Sequence, residues 1–121
     1  MSAQLREGRH LLPMSTTLLD AVLAIENLAY EFPWSRGNFV DSLAAGYSAR
    51  VLCNDAGEML GYFIAMPGVD EMHLLNITVA PQHQRQGHAR HMLGALERLC
   101  AQASAGQLWL EVRVSNHRAQ A

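Results

Sequence analysis

The segment NITVAPQHQRQGHARHML, residues 76–93, decides the fold because its pattern changes from strand to helix within a few residues. Its beginning completes EMHLLNITVA, residues 71–80, which predicts a strand that Pro81 ends. From about Gly87 to Ala103 the apolar residues recur at spacings of three and four, as on one helix face: Ala89, Met92, Leu93, Leu96, Leu99 and Cys100. The segment therefore predicts a strand, a short turn and a long helix.

The residues before this segment predict two further helices. The stretch STTLLDAVLAIENLAYEF, residues 15–32, has one largely apolar face and a capping-box pattern at Thr17 and Asp20. Pro33 interrupts that helix, and Ser35 is a suitable N-cap for a second helix that ends near Ala45.

Four further segments predict strands: a weak one at His10–Pro13, one from Tyr47 to about Cys53, EMLGYFIAM at residues 58–66 and LWLEVRV at residues 108–114. The turn signals NDAG and PGVD flank the segment at residues 58–66, which therefore forms a β-hairpin with the strand before it. The order of helices, antiparallel strands and a strand–helix–strand unit predicts a single α/β domain over residues 1–121. We expect a mixed, largely antiparallel sheet flanked by helices.

The composition excludes several classes of protein. Half of the residues are hydrophobic and 17% are charged, which argues against disorder, and a net charge of −2 gives no general attraction to nucleic acid or membranes. No apolar run is long enough to span a bilayer, and the N-terminus is a poor secretory signal. Cys53 and Cys100 lie far apart in apolar settings, as free thiols do in a reducing compartment. These features predict a cytoplasmic protein.

The turn before the long helix is a candidate anion-binding site. Gly87 lets a ligand approach the backbone, and the first N–H groups of the helix point outward with the positive end of the helix dipole. Arg85 and Arg90 add positive charge at the same end. The residues alone leave a second interpretation open, in which Gly87 is an ordinary turn glycine beside a solvated basic surface. The pattern is neither a Walker loop nor a dinucleotide fingerprint.

The histidines and cysteines suggest no further site. His73, His83, His88 and His91 are potential metal ligands, but no cysteine or carboxylate cluster completes a ligand set. Both cysteines lie in hydrophobic patterns that predict burial, which makes them poor nucleophiles. We therefore expect neither a metal nor a catalytic thiol.

Three motifs together resemble the Gcn5-related N-acetyltransferase (GNAT) family. QRQGHA at residues 84–89 matches the pattern Q/R-x-x-G-x-G/A, while FPWS at residues 32–35 and LEVRVSN at residues 110–116 are similar to two further blocks. Those two blocks are typical of the bacterial enzymes that acetylate the N-terminal alanine of ribosomal proteins. The similarity extends from about Leu18 to Asn116. FPWS could be a packing motif, whereas the resemblance implies a loop near the acceptor peptide.

The resemblance implies direct transfer of an acetyl group from acetyl-CoA to the α-amino group of a protein, without a metal. In the family, backbone groups of the strand that matches Ile77–Val79 contact the pantetheine arm and the acetyl group, and the glycine turn cradles the pyrophosphate. The implied cofactor-binding residues are Ile77, Thr78, Val79, Arg85, Gln86, Gly87, His88, Ala89, Arg90 and Asn116. Gln84 belongs to the pattern, but its side chain has a local task.

Glu111 matches the family's general base. An α-ammonium group must lose a proton before it attacks a thioester, and a partly desolvated carboxylate with a raised pKa suits that task. Glu111 and Arg113 fall on the same side of the predicted closing strand. An ion pair between them is the alternative, because a charge on a central strand requires either a partner or a function.

Family members continue past the position of Asn116 with a helix, whose Tyr protonates the departing CoA thiolate, and with two more strands. The sequence reaches Ala121 before that Tyr, so we expect the fold to lack the last helix and strands. An exposed edge of the closing strand would favour a homo-oligomer. The alternative to an enzyme is a non-catalytic CoA-binding or protein-interaction remnant of the same fold.

Overall fold

The computed structural model describes residues 8–102 and 107–110, which form five strands and three α-helices. In chain order these are β1 (Arg9–Pro13), α1 (Leu19–Ala29), α2 (Arg36–Ala44), β2 (Ser48–Asn54), β3 (Met59–Gly68), β4 (Glu71–Val79), α3 (His88–Gln102) and β5 (Gln107–Leu110). Short 3-10 turns at Thr16–Leu18 and Pro81–His83 precede α1 and follow β4, respectively.

The strands form one sheet in the order β1-β2-β3-β4-β5. The first four strands are antiparallel to their neighbours, and β5 pairs with β4 in parallel, from Glu71 opposite Gln107 to Leu74 opposite Leu110. The predicted mixed, largely antiparallel sheet is confirmed. The helix between β4 and β5 makes the long crossover that a parallel pair requires.

Helices cover both faces of the sheet and bury two core clusters. The first cluster lies beneath α1 and α2 and comprises Met14, Leu19, Val22, Ile25, Phe39, Ala49, Val51, Cys53, Tyr62, Ile64 and Ala80. The second lies beneath α3 and comprises Leu52, Leu60, Phe63, Ala65, Met72, Leu74, Met92, Leu96 and Cys100. Both cysteines are buried free thiols, as predicted. Burial raises the pKa of each thiol.

A β-bulge in β4 changes the face that its side chains cover. Residues 64 and 65 of β3 are adjacent, but their partners in β4, Asn76 and Leu74, are separated by Leu75. In a regular strand Leu74, Asn76 and Thr78 would all point to one face. The extra residue instead leaves Leu74 in the core under α3, while Asn76 and Thr78 make their contacts on the α1 side.

The ends of the first two helices show one correct and one wrong prediction. Ser35 caps α2 in a full capping box with Asn38, as the sequence predicts. The predicted box at Thr17 and Asp20 is wrong, because Thr17 lies in a 3-10 turn and its hydroxyl is 2.8 Å from Ser15 Oγ. The Asp20 carboxylate instead accepts from Arg36.

The hairpin predictions are confirmed with a small shift. Strands β2 and β3 pair on either side of the NDAG turn, and Asn54 Oδ1 accepts from the backbone N–H of Ala56 and of Glu58. Strand β3 continues through the first half of PGVD, so the next turn is Val69–Asp70 alone. Among the helices of the described ranges, none is long and apolar enough to cross a membrane.

Candidate cofactor turn and a buried polar network

The turn between β4 and α3 has an unusual backbone. Arg85 has a φ of 66° and Gly87 a φ of 83°, so two residues of one short turn adopt the left-handed conformation. Glycine adopts this conformation without steric cost, whereas an arginine does so at a cost of about 1–2 kcal/mol. Such strain is common where a protein prepares a binding surface, and successive N–H groups in such turns often form an anion-binding concavity.

The start of α3 adds the favourable end of a helix dipole to this turn. The helix begins at His88, runs for 15 residues and has no acidic residue in its first turn. Its first N–H groups have no partners within the helix, and they carry a partial positive charge. Since no carboxylate of that turn neutralises the charge, the arrangement favours an anion.

Arg9 fixes the direction in which the peptide groups of the turn point. Its guanidinium donates to the carbonyl oxygen of Gln86 at 3.1 Å and approaches that of Gly87 at 3.5 Å. In a trans peptide the C=O and the following N–H point in opposite directions. The N–H groups of Gly87 and His88 therefore point away from Arg9. Sequence reasoning missed Arg9, which lies 77 positions before Gln86.

A cavity of about 850 Å³ lies on the Arg9 side of the turn, lined by Gly8, Arg9, Asn54, Glu58, Leu60, His83, Gln86, His88 and His91. Only Gln86 and His88 of the predicted cofactor residues contribute to it. His83 Nε2 lies 2.9 Å from Glu58 Oε2, and this contact holds the pKa of the Glu58 carboxyl below its usual range. The N–H groups of Gly87 and His88 point away from Arg9, which lines this cavity.

His91, in the first turn of α3, lies near two arginine side chains. Burial, and then Arg9 and Arg98, lower the pKa of His91 below its ordinary value. His91 is therefore neutral at pH 7 and adds no positive charge to the turn.

The predicted cofactor strand leads directly into this turn. Ile77, Thr78 and Val79 pair on one side with Phe63, Tyr62 and Gly61. On the other side, the described pairing of β4 with β5 ends at Leu74 opposite Leu110, just before the bulge. The Gln84 amide approaches the Val79 carbonyl oxygen at 3.4 Å, which agrees with the local task predicted for that side chain.

A buried polar network lies beneath α1, and the sequence did not predict it. Glu26 is completely buried, and its Oε1 accepts from the Tyr62 hydroxyl at 2.6 Å and from Asn76 Nδ2 at 3.2 Å. Its Oε2 accepts from the backbone N–H of Trp34 at 2.8 Å. Burial and the neighbouring carboxylate raise the pKa of Tyr62 far above its ordinary range, so that the phenol stays protonated and donates.

The network continues toward the predicted cofactor strand. Thr78 Oγ1 donates to Asn76 Oδ1 at 2.7 Å, and the Tyr30 hydroxyl lies 2.7 Å from Thr78 Oγ1 and 3.3 Å from the Ile77 carbonyl oxygen. One signal in the sequence pointed to this network. Glu26 is a charged residue within the otherwise apolar face of α1.

The FPWS motif contains one packed and one exposed aromatic ring. The Trp34 ring packs against Phe39, with 5.2 Å between the ring centroids. Phe32 exposes 79% of its surface. The packing interpretation therefore applies to Trp34, whereas Phe32 is presented outward between the two helices.

Other predicted site residues lie outside the described residues. These are Glu111, the predicted base, and Asn116, the predicted CoA contact. Arg85, Gln86, Gly87, His88, Ala89 and Arg90 are brought together in the turn and the first residues of α3. Within the described ranges, no group of three or more histidine, cysteine or acidic side chains is placed to hold a metal ion.

Sequence comparison finds a family for most of the chain. The profile of the Acetyltransferase (GNAT) family matches residues 19–121. The [ribosomal protein bS18]-alanine N-acetyltransferase of Escherichia coli K12 is 38% identical over 103 residues, covering 85% of this chain and 69% of the relative. A putative enzyme of the same name from Bacillus subtilis is 30% identical over 103 residues, covering 84% and 68%, respectively.

Comparison with solved structures gives the same picture. The crystal structure of the ribosomal-protein-S18-alanine N-acetyltransferase from Escherichia coli superposes with a TM-score of 0.81 at 35% identity, covering 93% of this chain and 72% of that chain. Ard1 from Thermoplasma volcanium superposes with a TM-score of 0.77 at 20% identity, covering 93% and 76%. At that identity the second match supports the fold alone.

Proposed function

The chain belongs to the GNAT family of acetyltransferases, and on this premise we propose that it transfers an acetyl group from acetyl-CoA to the α-amino group of a protein N-terminus. The acceptor we propose is the N-terminal alanine of a ribosomal protein, because the similar curated enzymes are named for that reaction on bS18. Such an acceptor would be met in the cytoplasm, which is also the compartment that two free thiols favour.

The turn before α3 is the observation that carries this proposal. Two left-handed residues, a helix start without acidic residues and the carbonyl contacts of Arg9 together direct N–H groups to one side. A pyrophosphate is a suitable ligand for such an arrangement. We assign the CoA contacts to Ile77, Thr78, Val79, Arg85, Gln86, Gly87, His88, Ala89, Arg90 and Asn116.

The proposed chemistry requires an acceptor for the proton that the α-ammonium group loses before it attacks. The α-ammonium group gives a proton to Glu111, directly or through water, and the amine then attacks the thioester carbonyl carbon. A C–N bond forms and the C–S bond breaks, and the departing CoA thiolate takes up the second proton that the nitrogen loses as it becomes an amide. Glu111 follows Leu110, the residue of β5 that pairs with Leu74 beside the bulge. We propose that residues 1–121 form one domain.

A peptide assay tests the transfer. The protein is incubated with acetyl-CoA and an alanine-started peptide that also contains a lysine, and mass spectrometry locates the acetyl group. We expect one acetyl group on the α-amino nitrogen, no product from the same peptide with a blocked N-terminus, and loss of product in Glu111→Gln. Binding of acetyl-CoA without product would support the non-catalytic remnant instead. The predicted self-association through β5 stays a prediction, which the mass of the protein in solution checks.

The cofactor claim has its own test in thermal unfolding. Acetyl-CoA should raise the unfolding temperature, because a ligand that binds only the folded state stabilises it. Gly87→Glu should abolish the increase, since it puts a negative charge at the turn and a side chain on a left-handed residue. Gly57→Glu is the matched control, because Gly57 also has a positive φ but lies in the hairpin turn. An unmodified protein that shows no shift would contradict the claim.

A further inference from the structure

The six-residue loop between α1 and α2, residues 30–35, is bonded at one end to the sheet and at the other end to Glu26 of α1, whose carboxylate also binds the sheet. Near its start, the Tyr30 hydroxyl contacts Thr78 Oγ1 and the Ile77 carbonyl of β4. Near its other end, the Trp34 backbone N–H donates to Glu26 Oε2. Phe32 lies between these two attachments and is largely exposed. The conformation of the loop therefore depends on the buried network.

Burial of the Glu26 carboxylate demands an explanation. A charge removed from water costs several kcal/mol unless hydrogen bonds compensate it, and an apolar side chain of similar size is often as stable or more so. Three donors from three different segments converge on this carboxylate: Tyr62 from β3, Asn76 from β4 and Trp34 from the loop. Only a group with two acceptor oxygens can receive all three.

We infer that Glu26 is a positioning residue for acetyl transfer, one that holds loop 30–35 against β4 so that the loop forms a wall of the acceptor site. The inference rests on the proposed function and extends it. The same carboxylate that fixes the loop also binds Asn76, one residue before the predicted cofactor strand Ile77–Val79. Glu26 thereby sets the distance between the acceptor and cofactor sides without touching either substrate.

Glu26→Gln separates this role from general stability. A glutamine side chain has the same shape but only one acceptor oxygen. If that oxygen stays with Tyr62 and Asn76, the NH2 group faces the Trp34 N–H, and a backbone donor cannot turn away without moving the loop. Tyr62→Phe is the matched control, because it removes one donor to Oε1 and leaves the bond between Oε2 and Trp34.

Two measurements follow the loop and the reaction separately. Hydrogen exchange measured by NMR at the Trp34 amide reports the anchor, and steady-state kinetics give KM for the acceptor peptide and for acetyl-CoA. In Glu26→Gln we expect about tenfold faster exchange and about a tenfold higher acceptor KM, as for one lost hydrogen bond to a charged group. The KM for acetyl-CoA should stay within about twofold, and Tyr62→Phe should change all three quantities by less than about threefold.

A second variant covers the case in which Glu26→Gln does not fold. Tyr30→Phe removes the hydroxyl at the other attachment and leaves Glu26 in place, and we expect the acceptor KM to rise about threefold. A normal acceptor KM in a folded Glu26→Gln, or in Tyr30→Phe if the first variant is unfolded, would overturn the inference. Equal increases in Glu26→Gln and Tyr62→Phe would overturn it as well, because they would show a merely structural role.

Failure of the proposed function has a different signature. If the unmodified protein binds acetyl-CoA but gives no product, the proposed acetyl transfer is contradicted. The proposal that Glu26 holds loop 30–35 is not. The role of Glu26 is then tested by calorimetry, which measures binding of the alanine-started peptide in the presence of CoA. Weaker peptide binding together with faster Trp34 exchange in Glu26→Gln supports it, and unchanged peptide binding overturns it.

Discussion

The cofactor turn, residues 84–90, and the buried network around Glu26 are two polar regions of one small protein, and they are built in opposite ways. The turn is partly exposed, contiguous in sequence and made largely of backbone groups. The network is buried, and its side chains come from α1, β3, β4 and the start of loop 30–35. The Glu26–Asn76 contact alone joins residues 50 positions apart.

This difference indicates which property each region controls. Backbone groups that face solvent can meet a ligand at little cost to the fold, so changes in the turn should alter affinity. Buried groups with several partners are costly to disturb, so changes near the network should alter stability or the position of the loop.

Gly61, which precedes Tyr62 of the network in β3, tests the buried side of this comparison. It pairs with Val79, and a Cβ at this position would lie 2.4 Å from the Thr78 carbonyl oxygen. Because that contact is with backbone, relief requires β3 and β4 to move apart. We expect Gly61→Ala to lower the free energy of unfolding by about 3 kcal/mol, measured by urea denaturation.

Gly94→Ala is the control for this prediction. Gly94 lies within α3, and a Cβ there would meet only the Arg98 guanidinium, at 3.8 Å. The substitution should raise the free energy of unfolding by about 0.5–1 kcal/mol, because alanine favours a helix. Equal losses in both variants would show that Gly61 has no special steric role.

Arg9 tests the turn side. Arg9→Ala removes the donor to the carbonyl of Gln86, so the N–H of Gly87 loses its fixed direction, while the Gly87 carbonyl still accepts from the His91 N–H. We expect the Kd for acetyl-CoA to rise about fivefold, while the free energy of unfolding changes by less than about 0.5 kcal/mol. Calorimetry measures the first quantity and urea denaturation the second.

Arg36→Ala is the matched control, because it removes the same charge from α2, where Arg36 binds Asp20. Its Kd should change by less than about twofold. A similar Kd for both variants would mean that net charge, and not the direction of the peptide groups, governs binding.

The smallest effect concerns pH and His91. Its pKa is lower in the folded protein than in the unfolded chain, so its contribution to stability is complete above about pH 6.5 and is lost as the pH falls through the folded pKa. Between pH 7 and 5.5 the unmodified protein should lose up to about 1 kcal/mol more stability than His91→Gln. Parallel pH profiles of urea denaturation would contradict this.

Two carboxylates with lowered pKa values do not titrate between pH 7 and 5.5. The pKa of Asp55 is lowered by the Gly8 amide and by His10, and that of Glu58 chiefly by His83. Groups with lowered acidic pKa values stabilise above their unfolded values near 4 and lose that contribution only at lower pH. The change between pH 7 and 5.5 therefore separates His91 from both carboxylates.

Local patterns were sufficient for much of this molecule. The order of strands and helices, the α2 cap at Ser35 and the glycine turn all follow from residues within a few positions of one another, because helix caps and tight turns are local structures. The predicted cap at Thr17 was wrong because of another local contact: the Ser15 hydroxyl is a competing partner for the Thr17 side chain. The motif resemblance added the family, which the comparisons confirm.

By itself, the sequence determined the elements, their order and the turn at Gly87. Only the tertiary structure decided that Leu75 forms a bulge, that Asn76 and Thr78 face Glu26, and that Arg9 reaches Gln86. One extra residue in a strand reverses the face of every side chain that follows. The local sequence around Leu75 contains no pattern that predicts this bulge. Contacts across 50 or 77 positions exist only once strand register and helix packing are set, so they belong to the folded chain.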